Sequence, residues 1–473
     1  MKSIFALSIF FLTSVFFPAQ ESVLFGNDRF SGISSAPFSP TQPYLNENLW
    51  DVNLFSTDVF VWNDYAYISQ ESALGIIRKD IQAADIKNGI TGASMPDVMD
   101  YFNKDVGNYH FSSDIMGPAF SASFNIKQKK YTAGFFSRLR TQGSVEDFDN
   151  YWRYENQGLT PPDVYFLKPF ETNFMNWGEL GIHISTEIFP NSQHRWIVGA
   201  NLKYELGFDA VNAVSDHTTT LTRVEWANST VHTWASDYNI ALSYATAYDF
   251  EKSRYSVKPQ GKGLGLDFGF AFVNCDKCAE EYYYKLSFNI LDVGYVNFTG
   301  KNHLLNGAPF DFDQSGKPKF NTIEEIFGFV SEQTYGNPNA SLVGTDFTIG
   351  LPTSLHFNFS KNIGEHKYLN FNLVQRTPIF ENSLKRNNIA NVSYSFQKNA
   401  FGYGASTSLY EYKDLQFGGY FRLGPLVMGS ENIIPIIFKH KRFYAADFYI
   451  ALKINAFWDG DLKRRQRDGC QCD

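Results

Sequence analysis

The chain has 473 residues, and its 41 Lys and Arg against 49 Asp and Glu leave a formal net charge of -8. This acidic balance argues against nucleic acid as a partner. The 46 Phe, 27 Tyr and 35 Gly are typical of twisted sheets with aromatic belts, and no Pro- or Ser-rich linker divides the chain, which predicts one large domain.

Residues 1–19 have the pattern of a secretory signal peptide. Lys2 precedes an apolar run from Ile4 to Phe17, and the small residue Ala19 lies near the expected cleavage site. A single membrane anchor is the alternative, but the run is shorter than the roughly 20 apolar residues that a spanning helix needs. No later window resembles a transmembrane helix, so we expect that the chain could cross a membrane only as a β-barrel.

Strand-like alternation of apolar and polar residues runs through the rest of the chain. Between Gly263 and Leu291, bulky apolar residues occupy every second position on both sides of a short hairpin, and small or polar residues lie between them. With weaker candidates near 51–64, 108–126, 238–246, 401–410 and 416–423, the sequence predicts about fourteen strands. Many are about 10 residues long, which suits a tilted strand that crosses a hydrocarbon core.

The polar face of these strands distinguishes a membrane barrel from a soluble β protein. A face that meets bulk water should be rich in Lys and Glu, whereas this one is dominated by Gly, Ala, Ser and Asn with occasional charges of both signs. That composition favours a crowded lumen. We therefore predict an all-β, transmembrane antiparallel barrel, with a soluble exported β protein as the weaker alternative.

The connections are of two kinds. Tight turns are expected at 127–130, 190–194 and 275–280, and long segments at 67–107, 142–175, 208–236 and 293–343. The first three long segments share one side of the barrel, but the fourth falls on the other side by strand count. We expect that one strand within 208–262 is an excursion of the outer loop and that an uncounted strand lies near 424–438; the alternative is that long and short connections are not segregated in this barrel. Short helices are predicted from Ser72 to Ile86 and after Thr322, within the long segments.

Ten residues of the predicted lumen face carry or can carry charge. They are Arg138, Arg140, Glu179, His183, Glu187, Arg195, Lys203, Glu205, Asp267 and Lys285. Cross-strand ion pairing is the expected arrangement, because an unpaired buried charge is costly. His183 lies on the same strand face as Glu179 and Glu187 and is therefore a candidate metal ligand, but pairing of this row with the basic residues Arg195 and Lys203 of the next strand is the expected arrangement. No catalytic signature is present, so we predict neither an enzyme nor a cofactor.

The four cysteines, Cys275, Cys278, Cys470 and Cys472, allow three interpretations: disulfide bridges, a metal site, and free or lipid-modified thiols. An exported protein matures where disulfides persist, and a bridge across one intervening residue is strained, so bridges between the turn and the C-terminal tail are the first expectation. A four-thiolate zinc site is the second interpretation.

Several segments resemble the long-chain fatty-acid transporter (FadL-like) superfamily of outer-membrane barrels, and most closely its uncharacterised branch. They are "NDRFSGISSAPFSPTQP" from Asn27, "DVNLFSTDVFV" from Asp51, "GKGLGLDFGF" from Gly261, "KLSFNILDVGYV" from Lys285, "LPTSLHFNFS" from Leu351 and "GPLVMGS" from Gly424. The usual Asn-Pro-Ala of the N-terminal hatch stands here as Ser39, Pro40 and Thr41, so no specific hatch contact is carried over.

The resemblance implies a signal peptide over 1–19, a hatch or plug over 20–50, a barrel over 51–458 and a periplasmic tail over 459–473. Its expected plug residues are Phe25, Phe30, Ile33, Phe38 and Pro40. In transporter members of the superfamily, apolar ligands pass the hatch and leave sideways into the bilayer. In another branch, similar barrels are accessory subunits of secretion or assembly machines.

Two functions therefore follow for a protein of the Gram-negative outer membrane. The first is a channel for small hydrophobic compounds, and the second is an accessory or scaffold subunit that transports nothing. The expected partners are outer-membrane lipid together with a small hydrophobic ligand or a protein of a larger membrane complex.

Overall fold

The computed structural model describes residues 23–78, 99–127, 129–152, 163–189, 194–225, 231–249, 254–275, 282–307, 309–311 and 322–455. Predictions for the signal peptide, for the tail over 459–473 and for Cys278, Cys470 and Cys472 lie outside these residues.

Most of the described residues form β-strands. The strands are β1 (Trp50–Asn63), β2 (Ala66–Glu71), β3 (Met99–Tyr101), β4 (Val106–Met116), β5 (Ala119–Ile126), β6 (Lys129–Asp149), β7 (Asp163–Leu167), β8 (Phe170–Glu187), β9 (His194–Ser215), β10 (Thr219–Glu225), β11 (Val231–Ser236), β12 (Asn239–Ala245), β13 (Tyr248–Asp249), β14 (Arg254–Tyr255), β15 (Gly261–Asn274), β16 (Tyr284–Asn306), β17 (Phe310–Asp311), β18 (Leu342–Gly350), β19 (Ser354–Gly364), β20 (Lys367–Arg376), β21 (Ile389–Lys398), β22 (Phe401–Tyr410), β23 (Asp414–Leu423), β24 (Leu426–Ser430), β25 (His440–Phe443) and β26 (Ala445–Asn455).

Helices are few and short in the same residues. The α-helices are α1 (Val23–Gly26), α2 (Ala73–Arg78), α3 (Ile323–Tyr335) and α4 (Ile434–Ile437), and the 3-10 helices are Gly32–Ser35, Pro43–Leu45 and Asn150–Trp152. The Thr322 hydroxyl accepts a hydrogen bond from the Glu325 N–H at 3.1 Å, which confirms the predicted capped helix. Helix α2 confirms the start of the other predicted helix, whose residues beyond 78 lie outside the described part.

Seventeen strand segments form one closed antiparallel wall. At three places two segments lie in line and pair with the same neighbours: β4 with β5, β12 with β15, and β18 with β19. The described segments therefore make fourteen wall strands. The last strand, β26, pairs with β1 from Asp51 opposite Asn455 to Trp62 opposite Ala445. The predicted all-β barrel of about fourteen strands is confirmed.

The two faces of the wall have opposite chemistry. On β15, Leu264, Leu266 and Phe268 are 60%, 51% and 52% exposed, whereas Asp267 between them is 2% exposed. A soluble protein would reverse this arrangement, since exposed apolar patches of this extent are not tolerated in water. Apolar side chains outside and polar ones inside are the pattern of a wall whose outer face meets lipid.

The connections that follow β1, β6, β9, β16, β20 and β24 lie at one end of the barrel, whereas the connection between β12 and β15 begins and ends partway along the wall. The candidate strand near 238–246 is β12, which lies in the wall in line with β15 and is therefore not the loop excursion that we expected. Because β12 and β15 count as one wall strand, and β24 is the wall strand that was not counted directly, the fourth long segment still lies on the same side as the other three. We call this the long-connection end; the opposite, short-turn end holds Cys275 and the last residue of β26.

The predicted loops are too long and too few. Strands β6, β9 and β16 continue to Asp149, Ser215 and Asn306, well into segments predicted as loops. The prediction missed these parts of the strands because polar residues also occur on their outer face, so the alternation is less regular there. Two further connections, 377–388 and 431–444, lie at the same end.

Candidate functional site

Residues 23–49 lie inside the barrel, and we call them the N-terminal segment. Their turns are too short to bury an apolar face of their own, so their side chains pack against the inner wall. Of the expected plug residues, Phe25, Phe30 and Ile33 are 3%, 2% and 0% exposed, Pro40 is buried and Phe38 is half-buried. The lumen is therefore filled with protein at this level.

Apolar side chains of the segment meet two different parts of the wall. Phe25 packs with Tyr420, Val427, Tyr449 and Ala451, and Ile33 packs with Met116, Ala119 and Phe136. The two groups belong to neighbouring parts of the wall, β23–β26 and β4–β6, which lie on either side of β1, so these apolar contacts hold the segment against that side of the lumen.

Pro40 occupies a recess made by two glycines. Gly199 and Gly269 are cross-strand partners on β9 and β15. A Cβ at Gly199 would lie 2.0 Å from the Pro40 carbonyl oxygen, and one at Gly269 would lie 3.2 Å from the Pro40 ring. The absence of side chains at these positions is what lets the segment approach the wall.

Buried polar groups of the segment bind wall side chains. The carboxylate of Asp28 accepts hydrogen bonds from the Arg422 guanidinium at 3.1 Å and the Tyr420 hydroxyl at 2.8 Å. The Gln42 side-chain oxygen accepts one from the Lys285 ammonium at 2.7 Å, and the Asn201 amide donates to the Ala36 carbonyl at 2.7 Å. These contacts satisfy polar groups that would otherwise be costly to bury.

An aspartate that the sequence interpretation missed is the centre of the inward charges. The Arg140 guanidinium lies 3.0 Å from the Asp292 carboxylate, and Lys203 and Arg386 also form ion pairs with it. Lys203 bonds Asp267 as well, at 2.8 Å. Since each of these five side chains is at least nine-tenths buried, the attraction is weakly screened and both signs must be present for the cluster to be stable.

Position 292 carries its own sequence signal. The alternation along 282–290 assigns the even-numbered residues to the outer face, which would turn Asp292 toward lipid. The strand instead has a bulge between Ile290 and Val293, where Asp292 has a φ of 55° and its N–H donates to Asp267 at 2.7 Å. A carboxylate that the alternation would assign to the lipid-facing side is thus the sequence signal that the alternation of inward and outward residues changes at this point. For Arg386, which enters the lumen from the connection after β20, we find no such signal.

The ten predicted lumen residues all lie on the inner face. Arg138 bonds Glu179 at 3.0 Å and pairs with Asp114, a second residue that the sequence did not single out. Glu187 accepts a hydrogen bond from the Tyr44 hydroxyl at 3.0 Å near the short-turn end, and strand alternation puts Arg195 on the same face as buried Ile197. Most of the charges are paired; their functional role remains a prediction.

Two of the ten have unexpected surroundings. His183 has neutral partners, Asn201 at 2.8 Å and Ser185 at 3.0 Å, and the described residues contain no group of three acidic, His or Cys side chains arranged for a metal. Glu205 is fully buried, and neither of its carboxylate oxygens has a hydrogen-bond partner within the described chain. Gly265 makes room for it, because a Cβ there would lie 2.5 Å from Glu205 Oε1.

Two small cavities flank the segment and the cluster. One, of about 40 Å³, is polar and is lined by Asp114, Arg140, Gln142, Arg386 and Asn387 among others. The second, of about 50 Å³, lies between the N-terminal segment and strands β1, β4 and β26. Its lining combines apolar side chains with charged ones: Phe25, Pro37, Phe38, Met116 and Tyr449, and also Asp58, Asp114 and Arg138. It is the more apolar of the two in side-chain character.

Burial affects a titrating group of the N-terminal segment and the only described cysteine. Burial and the nearby Glu187 carboxylate raise the pKa of the Tyr44 phenol. Tyr44 packs with Tyr282 and Tyr368 around Cys275, which is 6% exposed. Pairing or metal binding by Cys275 remains a prediction, because its three candidate partners lie outside the described residues.

Membrane crossing by helices finds no support in the described chain: none of the helices there is long and apolar enough to span a bilayer.

Comparison with known proteins gives one family match and two similar solved structures. A family model described as "Family of unknown function (DUF5723)" matches residues 69–431. Among solved structures, a deletion mutant of the TodX monoaromatic hydrocarbon channel is similar at a TM-score of 0.40 and 9% identity, over 90% of this chain and 94% of that one. A Pseudomonas aeruginosa FadL homologue is similar at 0.31 and 8%, with the same coverage. No curated protein matches the chain. The family match covers most of the chain, and the barrel fold is shown by the strand pairing described above.

Proposed function

The chain belongs to the DUF5723 family, a family of unknown function, and we propose that it is an outer-membrane barrel that passes small hydrophobic molecules. In this proposal residues 1–19 are a signal peptide, the long-connection end faces outward and the tail over 459–473 lies in the periplasm. The apolar outer face and the polar, plugged lumen support the membrane location.

The observation that carries the hydrophobic route is the cavity of about 50 Å³ beside the N-terminal segment. It lies next to Met116, at the end of β4, where the wall strand is interrupted before β5 begins at Ala119. Pro118, in the interruption, has no N–H for the strand ladder. An apolar molecule held by Phe25, Phe38 and Met116 would therefore lie beside the interruption between β4 and β5, where this wall strand has fewer ladder hydrogen bonds.

Phe38 is the side chain that must move for this route to open. The cavity has room for only a few water molecules, which is too little for a hydrocarbon. A Cβ at Gly26 would lie 1.8 Å from the Phe38 ring. Residue 26 must therefore be glycine for the ring to occupy this position beside the cavity. Rotation of a half-buried ring costs less than displacement of the whole segment, whose polar groups are bound to the wall.

The test is binding of naphthalene, followed by its fluorescence, to the purified full chain in detergent. Phe38→Ala is expected to raise the affinity about tenfold or more, and adding Met116→Trp, which refills the space, to abolish the gain. Phe189→Ala, at a ring that is 73% exposed in a turn, is the matched control and should change nothing. The rate of naphthalene uptake by intact cells should rank the variants in the same order as their affinities for naphthalene. Correctly folded barrels that bind no naphthalene with or without Phe38 would overturn the channel.

A second function is favoured by the filled lumen. Ion pairs such as Arg422 with Asp28 and Lys453 with Asp51 hold the N-terminal segment in place, as expected of a scaffold subunit that transports nothing. Purification from detergent-solubilised outer membranes, with mass spectrometry of proteins and lipids, separates the two. A stoichiometric protein partner without bound apolar molecule supports the subunit, and a lone barrel with a defined apolar molecule supports the channel.

The location itself has an independent test. Cell fractionation should place the protein in the outer membrane, and unheated samples should migrate differently from heated ones on a denaturing gel, because a closed barrel resists detergent until it is boiled. A soluble periplasmic protein with heat-independent mobility would contradict the proposal.

A further inference from the structure

An apolar run followed directly by a basic run forms the connection between β24 and β26. Residues 433–438 read Ile-Ile-Pro-Ile-Ile-Phe, and residues 439–442 read Lys-His-Lys-Arg. We call residues 433–442 the rim segment. It has three permanent cations and no acid, in a chain whose formal net charge is -8.

The apolar half of the rim segment continues the outer face of the wall. The Ile433 N–H donates to the Phe417 carbonyl at 2.8 Å, and its side chain lies 3.9 Å from the Cβ position of outward-facing Gly419. Beyond it, Ile437 and Phe438 are 51% and 64% exposed. Leu415, an outward residue near the start of β23, is 54% exposed, so the apolar surface continues from the wall to the rim segment.

The basic half has a fixed place above that surface. The side chains of Lys439, His440, Lys441 and Arg442 are exposed. Strand β25 pairs with β2, and the Arg442 guanidinium lies over the rings of Tyr67 and Phe102, 5.1 and 5.4 Å from their centres. Such stacking holds a guanidinium in one orientation without neutralising it.

We propose that the rim segment binds the phosphate-bearing headgroups of lipids in the leaflet at the long-connection end. Ile437 and Phe438 would enter the acyl region, and the cations above them would meet the phosphates at the depth where headgroups lie. Charge complementarity and continuity with the apolar wall select a lipid surface over a protein as the occupant. The inference rests on the proposed membrane location.

Native mass spectrometry of the full chain in detergent micelles tests it, with phosphatidylglycerol as the anionic probe and phosphatidylcholine of the same acyl chains as the neutral one. Wild-type protein should bind the anionic lipid at least about tenfold more tightly, and K439Q/K441Q/R442Q should lose the preference, since each cation near a lipid surface contributes measurably. Excess inorganic phosphate should not compete. Competition by inorganic phosphate at full strength would instead make this a site for the free anion and overturn the lipid assignment.

The matched control removes three exposed cations that lie outside the rim segment. Arg254, Lys258 and Lys413 are exposed and spread over two connections, so R254Q/K258Q/K413Q should keep the preference. A second variant, I437S/F438S, should weaken both lipids alike. If K439Q/K441Q/R442Q still prefers the anionic lipid, and its heat-dependent mobility shows a folded barrel in the membrane, the inference is refuted. A chain that does not fractionate with membranes would refute the proposed location instead.

Discussion

The ammonium of Lys453, near the end of the last wall strand, lies 3.1 Å from the carboxylate of Asp51, near the start of the first. Neither side chain is more than 2% exposed. Asp51 also accepts a hydrogen bond from the Ile33 N–H at 3.0 Å, and Lys453 donates to the Ser31 carbonyl. The pair that closes the barrel is therefore also the pair that holds the N-terminal segment.

Replacing one residue of this pair should lower the free energy of unfolding more than replacing both. Lys453→Met leaves Asp51 as an unpaired buried charge and is expected to lower the free energy of unfolding by about 3 to 5 kcal/mol. The double variant D51L/K453M removes both charges and should lose less than the single one. Urea unfolding in detergent micelles, followed by tryptophan fluorescence, measures both; a double variant less stable than Lys453→Met would contradict the argument.

Asp292 offers a charge-only test of the ion cluster. Its φ of 55° is a left-handed conformation that Asn tolerates well, so Asp292→Asn changes the charge without adding backbone strain. Arg140, Lys203 and Arg386 would then lose their shared carboxylate, and we expect a loss of about 3 kcal/mol or more in the free energy of unfolding.

Asp237→Asn is the control for that substitution. Asp237 has a φ of 59° and is exposed, so the same chemical change on the same backbone conformation should cost less than about 0.5 kcal/mol. Equal losses for the two variants would show that the cluster does not depend on Asp292.

How far the sequence predicts this structure depends on which interactions set each feature. The face of Leu264, Asp267 and Phe268 follows from local period-two geometry, which any barrel strand must obey, so alternation was enough. The partners of Arg140 were not predictable, because Asp292 reaches the lumen only through a bulge and Arg386 only through a connection that folds inward. Pairing across a lumen depends on three-dimensional register, which no local pattern records.

The recess for Pro40 should be sensitive to a single methyl group. Gly199→Ala would put a Cβ 2.0 Å from the Pro40 carbonyl oxygen, a backbone atom that cannot rotate away. We expect the N-terminal segment to shift, with faster cleavage of residues 23–49 by added protease and a free energy of unfolding lower by about 1 to 3 kcal/mol.

Gly328→Ala gives the opposite expectation for the same substitution. Gly328 lies inside helix α3, where the nearest atom to an added Cβ is 3.7 Å away. Alanine there should stabilise by about 0.5 to 1 kcal/mol and leave proteolysis of residues 23–49 unchanged. Unchanged proteolysis in Gly199→Ala as well would mean that Pro40 does not depend on the recess.

Glu431 should make the barrel less stable as pH rises. It lies one residue beyond β24, is 1% exposed, and accepts hydrogen bonds from the Leu24 N–H at 2.8 Å and the Ser406 hydroxyl at 3.2 Å. Burial raises its pKa from 4.5 to about 7, and the two hydrogen bonds only partly oppose this. Because the folded chain binds this proton more tightly than the unfolded chain does, its contribution is complete below about pH 4.5 and is lost as pH rises to about 7.

The expected loss over that window is up to about 3 kcal/mol in the free energy of unfolding, and Glu431→Gln should remove this part of the pH dependence because an amide stays neutral. Glu365→Gln, at a side chain that is 91% exposed, is the matched control and should leave the profile unchanged. Urea midpoints measured in detergent from pH 4 to pH 8 decide the matter. A profile that Glu431→Gln does not flatten would show that the folded chain does not bind the Glu431 proton more tightly than the unfolded chain does.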